Sequence, residues 1–384
     1  MSRGRKIKIL LWSPSGAGLH YTGSGMNAYR LYHELIRANV DVTLVHGNPL
    51  QADLSSVFSA NICLGDLRKA TVVSVGSFLI KAKFWLLKNW KQFDLFHGID
   101  VFEPTMRPAY WAVKSGLPTV IKPALHHAGF VPSGRKVSDF FGLAKRRVHL
   151  AKSVSFFVAI SKLIEDELLD IGVDSSRIAR IPNGVDTEAF RPSSVVNIPE
   201  NRLADCKGIR ILFVGGLRRR KRIDWLLRIL SHPDCSEACI VLVGPECEAD
   251  HIKYLKQLAV ELGVSSRIHI FDHTPDVRAF YRQSDLFVLP SESEGMSNAL
   301  LEAMSCGLPV VSMAVSGSTD IIRNGNDGFL ASDYEELQEA VLKLCRSESL
   351  RSQMGISARN RVGSKFSLNF VSNEYLKLFQ KLIS

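Results

Sequence analysis

The sequence DLFVLPSESEGMSNALLEAMSCGLP, residues 285–309, has the pattern of a strand, a loop and a helix in immediate succession. The apolar run that closes at Pro290 is typical of a buried parallel strand. Ser297 and Asn298 favour a helix N-terminus, and the following apolar residues have helical spacing until Gly307 ends the pattern. Ligands of open α/β sheets bind where strands end and helix N-termini present unpaired N–H groups. This stretch therefore predicts a ligand site in an α/β fold.

Two glutamates of this stretch are candidates for contacting such a ligand. Glu294 lies just beyond the strand end, and Glu302 lies about one turn inside the helix. Carboxylates only accept hydrogen bonds, so two of them beside an anion site suit a ligand with phosphates in the middle and hydroxyls at both ends. A nucleotide-sugar has that shape. Solvated loop and helix glutamates are also common at this spacing, so the spacing alone leaves both interpretations open.

Strand and helix patterns alternate along the rest of the chain. Apolar strand-like runs occur in two series, at residues 6–12, 40–47, 93–98, 119–125 and 156–161, and then at 208–216, 238–244, 268–271 and 285–290. Helix-like segments separate many of them, which is typical of doubly wound parallel sheets. The glycine-rich segment after the first run does not match G-x-G-x-x-G, and the second run is not followed by an acidic residue for a ribose. A dinucleotide cofactor is therefore not expected.

The two series predict two Rossmann-like domains. A proline-bearing segment, residues 180–201, lies between them and is typical of a linker. We predict a first domain over residues 1–185 and a second over residues 186–365. The periodic segment at residues 366–384 predicts a C-terminal helix that returns to the first domain.

Composition limits the possible partners. The 384 residues are 46% hydrophobic, which is enough for two sizeable cores. Net charge is +10 and uneven: residues 1–190 hold 24 Lys and Arg against 15 Asp and Glu (+9), and residues 191–384 hold 24 against 23 (+1). The first half is thus expected to meet any anionic partner, whether nucleic acid, an anionic membrane or a phosphate-bearing acceptor.

Cysteine usage and hydropathy point to a reducing compartment and a soluble or peripheral protein. Seven scattered cysteines form no paired framework, so buried reduced thiols in a cytosolic setting are expected. The basic N-terminus is followed by an apolar run too short for a signal peptide. No apolar run approaches the roughly eighteen residues of a membrane span.

A second candidate anion site follows the first strand of the second series. Gly215, Gly216 and Leu217 are followed by five basic residues, Arg218, Arg219, Arg220, Lys221 and Arg222. A strand end followed by lysine and a helix N-terminus is suited to phosphate. A solvated basic run is the alternative interpretation of the same residues.

The sequence resembles the family-4, or group 1, retaining glycosyltransferases of the GT-B fold. Three motifs support the resemblance: EGMSNALLEAMSCGLPVV at residues 294–311, IPNGVD at 181–186, and the G-x-L-x-x-x-K loop at 215–221. The resemblance implies two Rossmann-like doubly wound domains that face a cleft.

The resemblance also implies roles for individual residues of the second domain. Glu294 would hold sugar hydroxyls and support the reacting face, Glu302 would bind the ribose, and Lys221 would neutralise the diphosphate. Gly216 belongs to the phosphate loop. Backbone N–H groups that would contact sugar or phosphate belong to Met296, Ser297 and Asn298.

In the first domain, the resemblance implies a glycine loop and a histidine. Gly23 and Gly25 would let the backbone approach the donor. A histidine beside the transferred sugar corresponds to His126 or His127, of which His126 is favoured.

The chain departs from the family pattern at two positions. Family members usually carry arginine after the first glycine of the phosphate loop, where this chain has Gly216. That phosphate contact is therefore missing, or it is supplied by Arg218, Arg219 or Arg222. The later G-x-x-E/D element ends in Asp320.

The function implied is retaining transfer of a sugar from a nucleotide-diphosphate sugar, such as a UDP- or GDP-sugar, to a glycan or lipid-linked acceptor. Cell-surface polysaccharide synthesis, including lipopolysaccharide, is the expected setting, and nucleic acid is not an expected partner. Because the chain has no D-x-D triplet, neither a divalent metal nor another cofactor is expected. The alternatives are a non-catalytic nucleotide-sugar-binding protein and a nucleotide-sugar epimerase of the same fold.

The segment SVGSFLIKAKFWLLKNWKQF, residues 74–93, has the pattern of a basic amphipathic helix. One interpretation is a helix that packs on the first sheet with solvated lysines. The other is contact with an anionic membrane surface, since each lysine near such a surface is worth about 1 kcal/mol. We expect a cytoplasmic protein that can be peripheral on the inner face of the cytoplasmic membrane.

Overall fold

The computed structural model describes residues 5–17, 23–48, 57–124, 143–192, 203, 206, 208–272, 274 and 276–384. The chain divides into two compact units. The first unit contains Met1–Gly184 and Leu368–Ser384, and the second contains Val185–Ser367.

The first unit is built on a parallel sheet of seven strands in the order β3-β2-β1-β4-β5-β6-β7. The strands are β1 Ile7–Trp12, β2 Val40–His46, β3 Ala60–Cys63, β4 Leu95–Ile99, β5 Thr119–Lys122, β6 Phe156–Ala159 and β7 Ile178–Arg180. The helices within its first segment are α1 Gly23–Arg37, α2 Val72–Asn89, α3 Glu103–Lys114, α4 Leu143–Ser153 and α5 Lys162–Asp170. The central strands β1, β4, β5 and β6 are largely buried because helices cover both faces of a parallel sheet.

The second unit is built on a parallel sheet of six strands in the order β10-β9-β8-β11-β12-β13. The strands are β8 Arg210–Val214, β9 Cys239–Val243, β10 Ile268–Phe271, β11 Leu286–Leu289, β12 Val310–Met313 and β13 Phe329–Ala331. The helices are α6 Ile223–Leu230, α7 His251–Glu261, α8 Arg278–Gln283, α9 Asn298–Ser305, α10 Ser318–Ile321, α11 Tyr334–Arg346 and α12 Glu348–Lys365.

The last helix, α13 Leu368–Ile383, packs in the first unit. Its buried residues Val371, Tyr375 and Phe379 join the core formed by β1, β2 and α1. Because this apolar stripe matches the core of the first sheet, the end of the chain completes the first unit.

The predicted fold class is confirmed, since both sheets are parallel and carry crossover helices. Every strand-like run identified in the sequence overlaps an observed strand. No helix within the described residues combines the length and the hydropathy needed to cross a bilayer.

The expectation of reduced thiols throughout is wrong for one pair of cysteines. Cys206 and Cys239 form a disulfide, and five cysteines remain as thiols. Three of these thiols are buried as expected, whereas Cys63 and Cys247 are exposed. Cys206 precedes β8 and Cys239 begins the neighbouring strand β9, so pairing of the strands brings the two residues together across 33 positions. The sequence spacing gave no sign of this proximity.

Candidate functional site

The two candidate ligand loops of the second unit follow neighbouring strands. From β8 the chain builds the sheet outward through β9 and β10, and it then returns to add β11 on the other side of β8. Crossover connections thus leave β8 and β11 in opposite directions, which opens a crevice at the carboxyl ends of these strands. The loops at residues 215–222 and 290–297 both begin at this edge.

Direct hydrogen bonds hold these two loops together. Arg220 donates from Nη1 to the carbonyl of Ser293 at 2.7 Å, and the N–H of Glu292 donates to the carbonyl of Arg220 at 2.9 Å. Arg222 donates from Nη1 to the Glu292 carboxylate at 3.1 Å. The basic run is therefore not merely solvated, because two of its arginines fix the loop that contains Glu294.

Lys221 and Glu294 form a buried ion pair at the centre of this arrangement. Lys221 ends a 3-10 turn, Arg219–Lys221, and its Nζ donates to Oε1 of Glu294. The two side chains are only 11% and 9% exposed. Burial lowers the pKa of Lys221, while the charge and hydrogen bond of Glu294 oppose that change. An anionic ligand at Nζ would add a second negative partner and so favour the charged ammonium further.

Glu302 lies on α9, the helix that follows the loop of Glu294. It is 6% exposed, and Oε2 accepts a hydrogen bond from the hydroxyl of Tyr281 at 2.9 Å. Tyr281 is on α8 and is fully buried, so packing fixes the orientation of this carboxylate. A carboxylate can accept several hydrogen bonds at once, which suits it to binding hydroxyls of a ligand.

The start of α9 has the predicted cap. Ser297 is the N-cap, and its side chain accepts from the N–H of Leu300 at 3.3 Å. Gly317 packs closely against the loop that precedes α9. A Cβ at this position would lie 2.4 Å from the carbonyl oxygen of Gly295 and 2.7 Å from Cα of Met296, so only glycine allows this contact. The backbone of residues 295–298 is thus held between its own helix and the G-x-x-D element.

The phosphate loop has glycine at position 216, where the family usually has arginine, and a nearby arginine could replace the missing contact. A Cβ at Gly216 would lie 2.7 Å from Sγ of Cys247 and 3.6 Å from Nε of Arg218. Arg219 forms an ion pair with Glu248. Arg222 forms ion pairs with Asp224 and Glu292 and stacks over the ring of Trp225. Among the described residues, no carboxylate pairs with Arg218. Of the three arginines that could replace the missing one, Arg218 is the best placed.

The first unit places the remaining candidates differently. The resemblance implied that Gly23 and Gly25 form a loop. In the structure they lie in the first turn of α1. The helix begins early because its buried face, which includes Ala28 and Leu31, packs on the core of the first sheet. His126 and His127 lie outside the described residues, so their roles stay a prediction.

Sequence reasoning missed a buried polar group at the carboxyl edge of the first sheet. Lys122 ends β5, is 4% exposed, and donates from Nζ to the side-chain oxygen of Asn27. Burial lowers its pKa to about 8, and burial raises the pKa of Asp100, beyond β4, to about 6. Asp100 also has a φ of 70°. The lysine that closes the apolar run TVIK was the sequence signal.

Potential metal ligands gather at the other edge of the second sheet. Within the part of the chain that the structure describes, one group of three residues could hold an ion, namely Cys206, Cys239 and His269. The disulfide already joins the two sulfurs. Both Cys239 and His269 lie at strand starts, away from the carboxyl edge with Lys221 and Glu294. This group does not belong to the candidate site.

Two family models match the two units separately. The model for glycosyl transferases group 1 matches residues 208–347, and the model for glycosyltransferase family 4 matches residues 21–189. The first match includes Lys221, Glu294 and Glu302.

Named relatives match parts of the chain. The capsular polysaccharide biosynthesis glycosyltransferase CapM of Staphylococcus aureus is 32% identical over 254 residues, which are 62% of this chain and 65% of CapM. The UDP-Gal:α-D-GlcNAc-diphosphoundecaprenol α-1,3-galactosyltransferase of Escherichia coli is 28% identical over 207 residues, 52% of this chain and 53% of that protein. The chain spans about half the length of the curated relatives it matches.

The whole chain matches solved structures in fold. Anabaena HepE in complex with UDP-glucose superposes with a TM-score of 0.79 at 18% identity, covering 98% of this chain and 100% of HepE. WaaG, a glycosyltransferase involved in lipopolysaccharide biosynthesis, superposes with a TM-score of 0.71 at 19% identity, covering 96% and 99%. The chain belongs to the group 1, or family 4, glycosyltransferases and has their GT-B fold of two Rossmann-like domains.

Proposed function

We propose that this protein transfers a sugar, with retention of anomeric configuration, from a nucleotide-diphosphate sugar to a glycan or lipid-linked acceptor. The observation that supports the proposal most is the buried Lys221–Glu294 pair between the loops of β8 and β11. In the donor, the diphosphate and the sugar are adjacent groups, so their protein partners must be adjacent too. A lysine for the phosphate and a carboxylate for the sugar hydroxyls meet this requirement when they touch.

We propose further donor contacts by residues of both units. Glu302, on the next helix and oriented by Tyr281, binds the ribose hydroxyls. Arg218 supplies the guanidinium that the phosphate loop lacks at Gly216. We expect the backbone of Met296, Ser297 and Asn298, at the start of α9, to contact sugar or phosphate. Gly23 and Gly25 would let the backbone at the start of α1 approach the donor.

The chemistry requires stabilisation of separating charge. When the bond between the sugar and the diphosphate breaks, negative charge develops on the β-phosphate and positive character on the ring. Lys221 and Arg218 stabilise the phosphate, and Glu294 stabilises the sugar face. The leaving phosphate accepts the proton of the acceptor hydroxyl on the same face, so no carboxylate acts as a nucleophile. His126, which lies outside the described residues, stays our expectation for the histidine that contacts the transferred sugar, and we propose that the reaction needs no divalent metal.

Relatives support the class of acceptor. CapM is named for capsular polysaccharide biosynthesis, and the Escherichia coli relative is named for a diphosphoundecaprenol-linked sugar. HepE was solved with UDP-glucose. We therefore propose a UDP- or GDP-sugar as donor and a saccharide of the cell surface, free or lipid-linked, as acceptor.

Mass spectrometry of products from a panel of nucleotide-sugars tests the proposal. The purified chain is incubated with each donor and a diphosphoundecaprenol-linked saccharide or the free saccharide. We expect one donor to be consumed and the acceptor to gain one sugar, whose anomeric configuration by NMR equals that of the donor. EDTA should change the rate by less than about twofold, which is under 0.5 kcal/mol.

Three outcomes contradict parts of the proposal. Tight donor binding without turnover would indicate a non-catalytic binding protein. Conversion of one nucleotide-sugar into another without acceptor would indicate an epimerase. Loss of transfer in EDTA, restored by magnesium or manganese, would show that the metal-free mechanism is wrong.

A further inference from the structure

Helix α2 has apolar residues on two faces, of which only one, its inner face, packs on the first sheet. The helix begins at a capping box formed by Thr71 and Ser74. Phe78, Ala82 and Leu86 recur every four residues and are fully buried. Phe78 contacts Trp12 of β1 with ring centroids 6.1 Å apart. Packing on the first sheet, one of the two interpretations of this segment, is therefore confirmed for this face.

The outer face of α2 carries a second apolar stripe. Val73, Ile80, Phe84 and Leu87 are 81%, 62%, 71% and 51% exposed. At about 100° per residue, these four positions fall within a sector of about 60°, directly opposite the buried stripe. A soluble helix normally presents polar residues on the face opposite the core. The core of the first unit therefore gives no reason for this stripe.

Lysines border the outer stripe on both sides. Lys81 and Lys88 lie on one flank and Lys83 lies on the other, and all are exposed. No acidic residue occurs between Leu67 and Phe93, a stretch that also contains Lys69 and Lys91. Within the described residues, none of the three flanking lysines forms an ion pair. The outer face thus combines apolar side chains with uncompensated positive charge.

We propose that the outer face of α2, defined by these four apolar residues and three lysines, docks on an anionic lipid bilayer. Apolar side chains enter the boundary between headgroups and acyl chains, and the flanking lysines contact lipid phosphates. A second copy of the chain is a poorer occupant, because it would place lysines against lysines without acidic partners. The surface lies in the first unit, whereas the donor residues Lys221 and Glu294 lie in the second. Docking and donor binding are therefore separable by experiment.

Vesicle co-sedimentation tests the apolar part of the surface. The full chain is mixed with vesicles of equal parts phosphatidylglycerol and phosphatidylcholine, or of phosphatidylcholine alone. We expect binding to the anionic vesicles at low salt and at least a tenfold loss with the neutral vesicles or at high salt. The double variant Ile80→Ser and Phe84→Ser should lose at least tenfold in binding. Val260→Ser with Ile356→Ser is the matched control, since these residues are 65% and 62% exposed elsewhere.

Charge reversal tests the lysines. Lys81→Glu with Lys88→Glu should weaken binding to anionic vesicles by at least about 25-fold, because each lysine contributes about fivefold. Lys253→Glu with Lys256→Glu, two exposed lysines of α7, should leave binding within about twofold. Donor binding measured by calorimetry should stay unchanged in all four variants, which separates failure of docking from failure of the proposed transfer.

Three results would overturn the proposal. The first is equal binding to neutral and anionic vesicles, and the second is no binding at either salt concentration. The third is a dimer in sedimentation velocity that Ile80→Ser with Phe84→Ser dissociates, since it would assign the stripe to a second copy.

Discussion

Single residues of the candidate site depend on each other, and the Lys221–Glu294 pair shows this most clearly. Glu294→Ala would leave a buried ammonium without its partner, at a cost of about 3–5 kcal/mol in folding stability. Glu294→Gln keeps an acceptor for Lys221 and removes the charge. We expect Glu294→Gln to slow transfer about a hundredfold, about 3 kcal/mol, and to lose less stability than Glu294→Ala. Initial rates and denaturant unfolding of both variants measure this. Transfer within about threefold of the unchanged protein would remove Glu294 from the mechanism.

Arg218 and Arg219 are neighbours with different expected roles. Arg218 lies beside Gly216 without an acidic partner among the described residues, whereas Arg219 is engaged with Glu248. We expect Arg218→Ala to raise the KM for the donor about tenfold, because a charge-assisted hydrogen bond to phosphate is worth about 1.5–3 kcal/mol. Arg219→Ala removes the same side chain one position away and should leave the KM within about twofold. Equal effects of the two substitutions would show that general positive charge, and not a specific contact, matters here.

Sequence motifs predicted the charged residues of the site but not their supports. Lys221, Glu294 and Glu302 could be identified because the motifs fix their spacing. Tyr281, which holds Glu302, is 21 positions away, and the helical pattern of its segment does not show which side chain faces the carboxylate. Cys247 beside Gly216 is likewise brought in by the fold. Such contacts depend on packing between elements, which a local pattern does not encode.

Elements were predictable where their apolar pattern is long. The buried central strands are continuous apolar runs, and these were found. β7 and β13 have three residues each and lie at sheet edges, so they carry too little pattern to be recognised. The early start of α1 was missed because glycine favours a loop locally, while packing of the helix decides the outcome.

At the scale of elements, the G-x-x-D turn supports the loop that precedes α9. Gly317 and Gly325 have nearly the same φ, 77° and 76°. A methyl group at Gly317 would strike the backbone of Gly295 and Met296, whereas nothing lies within 4 Å at Gly325. We expect Gly325→Ala to cost about 1 kcal/mol of stability from strain alone and to retain transfer. Gly317→Ala should cost more and reduce transfer at least tenfold, since the loop must move. Thermal unfolding and initial rates compare them, and equal transfer rates would show that the loop tolerates displacement.

At the scale of the whole molecule, the end of the chain stabilises the unit in which the chain begins. Phe379 of α13 is fully buried and lies 5.6 Å from the ring of His97 on β4, although the second unit, Val185–Ser367, separates the two in sequence. We expect Phe379→Ala to cost the first unit about 3–5 kcal/mol, because it leaves a cavity against the sheet. Hydrogen exchange measures this locally: amides of β1 and β4 should lose protection while those of β8 and β9 keep it. Ile383→Ala, at a 37% exposed position of the same helix, is the control and should cost under about 1 kcal/mol. Equal loss of protection in both sheets would show instead that the two units unfold as one cooperative body.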